Sequence, residues 1–190
     1  MITPPNNKIN EVIIVEEIII RNLIKEDYSD VFELEKQVYK IHYSNRPDLY
    51  NDVSDLFPRD YFNSIIDNKN GLSLGIEKDE KIVAIILSDI KETSNASIIK
   101  KRKYCYIDDI VVDEKYRRKG YAKSLFNELK EKLKILNISD IELTVWPFNK
   151  EAIAFYESIG MSAKNIKYEL KNNIELNTEK IELNTTQSTK

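Results

Sequence analysis

Cysteine, histidine and glycine are scarce in this chain, and each scarcity excludes a class of chemistry. Among the 190 residues there are one cysteine, one histidine and four glycines. The single cysteine, Cys105, cannot form an intrachain disulfide, and its apolar, strand-like surroundings predict a buried small hydrophobe and not a nucleophile. The sequence contains neither of the two familiar glycine-rich phosphate loops, G-x-x-x-x-G-K-[ST] and G-x-G-x-x-G. No metal is expected.

The chain also lacks a basic excess and a long hydrophobic run. Its 29 Lys and Arg against 32 Asp and Glu give a net charge of −3, which does not favour a general nucleic-acid binder. The apolar run 12–20 is interrupted by Glu16 and Glu17, is far shorter than the roughly 20 residues of a membrane-spanning helix, and lacks signal-peptide features. We therefore expect a cytoplasmic protein with no membrane or nucleic-acid partner. The short basic run Lys100–Lys103 leaves a nucleic-acid adaptor as a minor alternative.

The chain does contain enough apolar sequence for one globular domain. Hydrophobic residues make up 42% of the composition, which is compatible with a folded core. Residues 1–11 are polar, include two prolines and are expected to be a loose terminus. Residues 12–171 are expected to form the domain. Residues 172–190 contain the letters IELNT twice and are otherwise polar, which predicts a disordered tail.

Apolar periodicity predicts the order β-α-α-β-β-β-α-β-α-β. The predicted strands cover 12–21, 72–76, 82–88, 104–112, 140–146 and 161–170, the last being a strand or a strand pair. The predicted helices have apolar faces at 31–41, 61–66, 122–136 and 152–159. Asp27 is expected to cap the first helix, Pro58 to open the second and Gly160 to end the last. This order predicts an α/β fold around one mixed sheet, with the uninterrupted apolar run 82–88 as a central strand.

One predicted turn joins a strand to a helix and carries an unusual charge pattern. In VVDEKYRRKGYAKSLF, residues 111–126, three consecutive cations and a glycine stand where the helix begins. A helix N-terminus has unpaired N–H groups and a partial positive charge, so cations there are mildly unfavourable unless an anion binds as well. Gly120 would let the backbone approach such a ligand, and Ala122 would keep the first turn small. The alternative is a solvated basic helix start.

This turn and a second block downstream resemble the GCN5-related N-acetyltransferase (GNAT) superfamily. YIDDIVVDEKYRRKGYAKSLF contains the family's acyl-CoA pattern R/Q-x-x-G-x-G/A at Arg117, Gly120 and Ala122. IELTVWPFNKEAIAFYESIGM is similar to the family segment N-x-x-A-x-x-F-Y-x-x-x-G-F/M. Its matching positions are Asn149, Ala152, Phe155, Tyr156, Gly160 and Met161. Two residues depart from the pattern, since Arg118 and Ala122 stand where glycine is common.

The resemblance implies a three-layer fold and an acyl-CoA site. The fold would have a central, mixed and mostly antiparallel sheet with helices on both faces. Acetyl-CoA would be the cosubstrate, with its pyrophosphate on the turn 117–123 and its pantetheine in a cleft where strand 107–112 splays from strand 140–146. The backbone of residues 110–112 would pair with the pantetheine, and an N–H there would polarise the thioester carbonyl. The implied acetyl-CoA contacts are Ile110, Val111, Val112, Arg117, Arg118, Lys119, Gly120, Tyr121, Ala122, Lys123, Asn149 and Tyr156.

The resemblance also implies an acid and a base. Asp108 aligns with an acidic position that some members use as the base, and Glu142 on the adjacent strand is the reserve candidate. Strand alternation places Asp108 and Asp109 on opposite faces, so at most one of them is expected to face the cleft. Hydrogen bonding to a neighbouring loop is the alternative role for this pair. Tyr156 matches the tyrosine that often protonates the leaving thiolate, although its helical spacing also suits a core residue.

The segment IHYSNRPDLY, residues 41–50, resembles a histidine plus R-P-D signature of many bacterial members, at the place where the family builds its acceptor wall. The candidate acceptor contacts are His42, Tyr43, Arg46, Asp48 and Tyr50; the alternative is a capped loop with an Arg46–Asp48 ion pair. We therefore predict an N-acetyltransferase that moves an acetyl group from acetyl-CoA to a primary amine of a small molecule or a protein N-terminus by direct attack. The competing hypothesis is a catalytically idle acyl-CoA-binding module. A homodimer is left open.

Overall fold

The computed structural model describes residues 18–93 and 97–171. Its strands are β1 (Ile19–Asn22), β2 (Leu74–Lys78), β3 (Lys81–Glu92), β4 (Lys103–Val112) and β5 (Ile141–Leu143). Its α-helices are α1 (Tyr28–Asn45), α2 (Arg59–Asp67), α3 (Tyr121–Ile135) and α4 (Lys150–Ser158). Within these two ranges no helix combines the length and the apolar character that crossing a membrane requires.

The five strands form one sheet in the order β1-β2-β3-β4-β5. All neighbours are antiparallel except the β4–β5 pair at one edge, which is parallel. Residues 82–88 of β3 are all buried, because α3 packs on one face of the sheet and α1 with α2 on the other. The predicted α/β fold, with helices on both faces and an apolar central strand, is confirmed.

Several element boundaries differ from the predicted ones. Within the described residues β1 retains only Ile19–Asn22 of the predicted strand 12–21; residues 12–17, the expected loose terminus 1–11 and the expected tail 172–190 lie outside them. Helix α1 continues to Asn45, so the predicted loop starts four residues later than His42. Strand β5 has three residues instead of the seven predicted, because its pairing with β4 ends at Leu143.

The predicted final strand over 161–170 is wrong, since residues 161–171 form no regular secondary structure. Their alternating apolar side chains Ile166, Tyr168 and Leu170 are exposed. The segment is held instead by ion pairs to the loop after α1, between Glu169 and Arg46 and between Lys171 and Asp48. Apolar alternation leads to a strand only where a neighbouring strand supplies hydrogen bonds. No described strand pairs with this segment.

The predicted helix ends are correct at two places and wrong at one. Pro58 stands directly before α2, and Gly160, with φ of +91°, follows the end of α4. Asp27 precedes α1 but its carboxylate does not cap that helix. It accepts instead from the Ile24 N–H and from both terminal nitrogens of Arg21, each at 2.8 Å. The carboxylate therefore fixes the short turn before α1.

Candidate functional site

A cleft of about 950 Å³ opens where β4 and β5 separate. The two strands pair only as far as Ile107 and Leu143. Beyond that point residues 108–112 of β4 and residues 144–146 after β5 both line the cleft, which α1, α3 and α4 enclose. Pro147 follows the diverging stretch and has no N–H with which to resume the ladder. The predicted splay of the two strands is present.

A β-bulge in β4 places two consecutive acids on one face of the sheet. The register between β3 and β4 shifts here, so that Asp108 is the extra residue. Ile107 packs on the α3 side of the sheet and Val111 on the α1 side, whereas a regular strand would put both on one face. Asp108 and Asp109 both line the cleft. The expectation that at most one would do so is wrong, because alternation does not hold across a bulge.

One end of the cleft is cationic and lies at the N-terminus of α3. Arg117, Arg118 and Lys123 line this end, together with Tyr121 and Ala122 of the first helical turn. The first N–H groups of a helix have no intrahelical acceptor. This end therefore offers backbone donors next to three cations, as an anion site requires.

Two residues of this turn have a left-handed backbone. Gly120 has a φ of +85° and Arg118 a φ of +65°. A Cβ built at Gly120 would meet no atom within 4 Å, so the glycine is needed for its backbone conformation, and the space over it is open. The positive φ of Arg118 is also the reason why glycine suits that position better. Lys119 does not line the cleft; its ammonium lies 5.4 Å from the centre of the Tyr116 ring.

The open edge of β4 presents backbone donors to the middle of the cleft. Asp113 N–H donates to Val83 O on β3 at 3.0 Å. Because N–H groups alternate between the two edges of a strand, those of Ile110 and Val112 point to the other edge, where β5 has already diverged. Arg117 reaches the same edge, since its Nε donates to Val112 O at 3.3 Å.

The other end of the cleft is acidic, and Asp109 is its innermost group. Asp109 interacts with Glu35 of α1, which is only 7% exposed and whose Oε1 has no hydrogen-bond partner among the described residues. Burial, together with the charge of Asp108, raises the pKa of Asp109 to about 7. Burial and the charge of Asp109 raise the pKa of Glu35 well above its usual value. A carboxyl group whose pKa lies near neutral pH is suited to act as a general base.

Tyr156 lines the same cleft from α4. Burial and the charge of Asp109 raise the pKa of its phenol to about 12. The phenol therefore keeps its proton at neutral pH, and Tyr156 and Asp109 both line the cleft. The structure gives this ring a half-buried position on the cleft wall, not one in the interior of the core.

The two candidate bases predicted from the sequence, Asp108 and Glu142, differ from Asp109. The Asp108 side chain is 47% exposed, and its Oδ1 lies 4.0 Å from Lys91 Nζ. Glu142 is not brought to the cleft. It forms ion pairs with Lys164, at 2.6 Å, and with Arg102, and these hydrogen bonds lower the pKa of its carboxyl. A carboxylate held in this way is a poor proton acceptor.

The candidate acceptor residues divide into a cleft wall and an outer rim. His42 lines the cleft, stacks on Tyr50 with ring centres 5.4 Å apart, and is kept neutral because burial lowers its pKa. The indole of Trp146 also lines the cleft and donates to Tyr50 Oη at 3.3 Å. These rings close the cleft beneath the loop that follows α1.

The rim is formed by the expected Arg46–Asp48 ion pair, which is bidentate at 2.9 Å. The Arg46 guanidinium also lies 4.8 Å from the centre of the Trp146 ring. Tyr43 stacks on Tyr39, with ring centres 5.8 Å apart, and does not line the cleft. Of the five predicted acceptor residues, only His42 is among those that line it.

Sequence reasoning missed Glu35 and gave Asp109 no role. Glu35 falls four residues after Val31 and one after Leu34, so helical spacing puts it on the buried face of α1. An acidic residue on the buried face of a helix is the sequence signal that could have identified Glu35 as a functional candidate. Cys105 is buried as predicted, and burial raises the pKa of its thiol to about 11.

Asn149 caps α4 and lines the cleft, so the two roles expected of it are compatible. Its Oδ1 accepts from the Ala152 N–H at 3.2 Å, and the residue lies on the cleft wall next to the end of the diverging stretch.

Comparisons with known proteins agree with this geometry. Residues 30–161 match the sequence profile of the Acetyltransferase (GNAT) family. An uncharacterized N-acetyltransferase of Methanocaldococcus jannaschii is 30% identical over 147 residues, covering 77% of this chain and 62% of that protein. An L-ornithine N5-acetyltransferase of Arabidopsis thaliana is 40% identical over 55 residues, covering 29% of this chain and 24% of that protein.

The X-ray structure of a tetramutant of a Bacillus halodurans protein has the same fold. It superposes with a TM-score of 0.78 at 29% identity, covering 81% of this chain and 99% of that one. The chain spans 62% and 24% of the lengths of the two relatives named above. The profile match over most of the described domain identifies the chain as a member of the GNAT family of acetyltransferases.

Proposed function

We propose that this protein is an acetyl-CoA-dependent N-acetyltransferase that acetylates a primary amine of a small molecule or a protein N-terminus by direct attack. The observation that carries the proposal is the charge layout of one continuous cleft. Its cationic end suits the phosphates of an acyl carrier, and its acidic end around Asp109 suits an ammonium group. The backbone donors of β4 lie between the two ends. The cytoplasmic location expected from the sequence belongs to this proposal.

The turn before α3 fits the pyrophosphate of acetyl-CoA. The open space over Gly120 leaves room for phosphate oxygens, and the N-terminus of α3 with Arg117, Arg118 and Lys123 supplies donors and charge. Asn149 would add its side-chain amide farther along the cleft. When bound, acetyl-CoA supplies the acetyl group as an activated thioester. One of the two N–H groups on this edge, those of Ile110 and Val112, would donate to its carbonyl oxygen, a contribution that is commonly several kcal/mol, and the other would pair with the pantetheine.

Two side chains would handle the protons. An ammonium cannot attack a carbonyl, so Asp109 would first accept a proton from the acceptor nitrogen. The free amine would then attack the thioester carbonyl, and as the C–S bond breaks Tyr156 would donate its phenolic proton to the departing sulfur. The proton that the new amide nitrogen loses would return to the phenolate, and Asp109 would release its proton to solvent. The pKa of about 7 suits Asp109 to take a proton, and Tyr156, with a pKa of about 12, carries a proton that it can give. A catalytically idle acyl-CoA-binding module has no need of either group.

The acceptor is proposed to enter at the acidic end, against His42 and Trp146. The name of the Arabidopsis relative describes acetylation of the side-chain amine of ornithine, and this supports an amine acceptor here. The buried, neutral imidazole of His42 can contact an amine without repelling it.

A thiol-release assay with acetyl-CoA tests the proposal. Amines, aminoglycosides, polyamines, amino acids and peptide N-termini are supplied as acceptors, and free CoA is read with a chromogenic disulfide reagent. The protein contributes little background, because its single thiol, Cys105, is buried. Amine-dependent release is expected. CoA binding without release for every acceptor would favour the idle module.

A matched pair of variants at Gly120 tests the cosubstrate site separately. Asn and Asp have nearly the same shape, and both tolerate a left-handed backbone better than most residues. Gly120→Asp adds a negative charge where the phosphates are proposed to lie, whereas Gly120→Asn adds none. Calorimetry should show a much larger loss of CoA affinity for Gly120→Asp. Equal CoA affinities in the two folded variants would show that the phosphates do not bind at this turn.

A further inference from the structure

We infer that the acceptor carries a second ammonium group and that Asp89, Tyr106 and Asp108 bind it. We call these three residues the ammonium site. The inference rests on the proposed function, since it names the class of amine that would be acetylated: a diamine or a longer polyamine.

The ammonium site already holds a cation in this structure, the side chain of Lys91. Its Nζ lies 3.5 Å from Asp89 Oδ1, 4.0 Å from Asp108 Oδ1 and 4.0 Å from the centre of the Tyr106 ring. Two carboxylates and an aromatic face are the groups that recognise an ammonium. Both contacts with the carboxylates are long, and Lys91 is 39% exposed, so a ligand could displace it from them at little cost.

Two of these groups, Tyr106 and Asp108, lie on the cleft wall beside the bulge in β4. Asp89 of β3 lies opposite Tyr106 in the register, so the two side chains stand on the same face of the sheet. Asp108, the extra residue of the bulge, follows on that face, and Tyr106 and Asp108 line the cleft. A hydrogen bond of 2.9 Å from Tyr106 Oη to Thr144 Oγ1 spans the opening between the two diverging strands. The ammonium site is therefore the outward continuation of the cleft.

The acidic groups here exceed what Lys91 can neutralise. Glu35 and Asp109 adjoin the ammonium site. Burial and the charges of Asp108, Asp109 and Glu35 raise the pKa of the Tyr61 phenol on α2, and the charge of Lys91 opposes this. Glu35 is 7% exposed, and its Oε1 has no hydrogen-bond partner among the described residues. Asp89 Oδ1 is shielded from water and makes only the long contact with Lys91 there. Buried acceptors without donors are costly in a finished site. An acceptor that brings several N–H donors would satisfy them.

The spacing limits the length of this acceptor. Tyr106 and Asp109 are three residues apart on β4, which is at most about 10 Å at roughly 3.3 Å per residue, and less across a bulge. A nitrogen at Asp109 and an ammonium at the ammonium site would then be joined by a chain of about four to six carbons. Aliphatic diamines of this length fit, and so do polyamines that contain such a segment.

Three probes that differ only at the far end of the molecule test the inference. They are 1,5-diaminopentane, n-pentylamine and 5-aminopentanoate, which carry an ammonium, a methyl group and a carboxylate there. We expect kcat/KM to fall in that order. The diamine should exceed pentylamine by about tenfold, well beyond the statistical advantage of its two equivalent amines.

Variants on β3 identify where the second charge binds. Asp89→Asn should lower the preference for the diamine over pentylamine several-fold. Lys91→Met removes the internal cation and should raise that preference, because the ligand no longer competes with it. Lys103→Met is the matched control, since it also removes one positive charge, but from an exposed pair with Glu92 at 3.2 Å. It should leave the preference unchanged.

The outcomes separate this inference from the proposed function. Equal kcat/KM for pentylamine and the diamine, or an unchanged preference in both Asp89→Asn and Lys91→Met, overturns the ammonium site and leaves the acetyltransferase standing. A Lys103→Met variant that shifts the preference as much as Lys91→Met also overturns it, because overall charge would then be the cause. Absence of thiol release with every amine, in a protein that binds CoA, overturns both.

Discussion

Replacing Asp109 by asparagine should remove activity and, at the same time, stabilise the protein at alkaline pH. Asparagine keeps the size of the side chain but cannot accept a proton. If Asp109 is the base, kcat should fall by about 10²–10⁴-fold. In the unaltered protein the acidic limb of kcat/KM should lie well above the range of an ordinary carboxyl group, because burial raises the pKa of Asp109.

The stability effect follows from the same raised pKa. The folded protein holds the Asp109 proton more tightly than the unfolded chain does. The stability from this residue is therefore fully present below the unfolded pKa of 3.8 and is lost as pH rises through the folded pKa of about 7. Three pKa units at about 1.4 kcal/mol each set a ceiling of about 4 kcal/mol. Because the cleft admits water, we expect the variant to gain about 1–3 kcal/mol at pH 8 and less than half of that at pH 5.

The measurement is urea unfolding of both proteins at pH 5 and pH 8, with thiol release under the same conditions. Asp108→Asn is the control. The Asp108 carboxyl is 47% exposed, so its removal should change the free energy of unfolding less than removal of the Asp109 carboxyl. An Asp109→Asn protein that is equally or less stable at pH 8 would show that the buried charge carries no penalty. Undiminished turnover would show that another group is the base.

Two further predictions concern residues at opposite ends of the cleft. Tyr156→Phe removes one hydroxyl and keeps the packing of the ring, so kcat should fall on the order of 10²–10³-fold. CoA affinity and melting temperature should change little. A large drop in melting temperature would instead show that the hydroxyl stabilises the core. Arg118→Gly relieves a non-glycine residue at φ of +65° and should raise the free energy of unfolding by about 0.5–1 kcal/mol while weakening CoA binding. Arg118→Ala, which loses the charge but keeps the strained backbone, should weaken CoA binding without that gain, and equal stabilities of the two variants would argue against strain.

The architecture was predictable because it depends on long apolar patterns. The run 82–88 has no polar residue before Ser88, which fits a strand covered on both faces, and it is the central one. Helix α3 repeats Leu125, Leu129 and Leu133 at intervals of four, and all three are buried. Patterns of this kind survive small errors in boundaries.

The tail of the domain was not predictable in this way. Residues 161–170 alternate as a strand does, but alternation says nothing about whether a partner lies within reach. In the described structure the segment is held by ion pairs of Glu169 and Lys171 with the loop after α1, and these pairs join residues more than a hundred positions apart. No local pattern reports such a contact.

The acid–base pair shows most clearly where local reasoning ends. Two adjacent aspartates in an apolar strand signal function, and alternation then assigns them to opposite faces. The inserted residue at Asp108 cancels that rule, because it shifts the phase of every later side chain on β4 relative to Ile107. Without the bulge, Asp109 would point to the α3 side of the sheet, where Ile107 packs in a dry cluster. An ionisable carboxyl there would be costly, and the sheet would separate it from Glu35. With the bulge, Asp109 lies beside Glu35 and Tyr156, while Asp108 remains on the same face, half exposed and next to Lys91. One extra residue in one strand thus gives neighbouring aspartates different surroundings, and hence different work: a buried one suited to taking a proton and an exposed one suited to holding a cation.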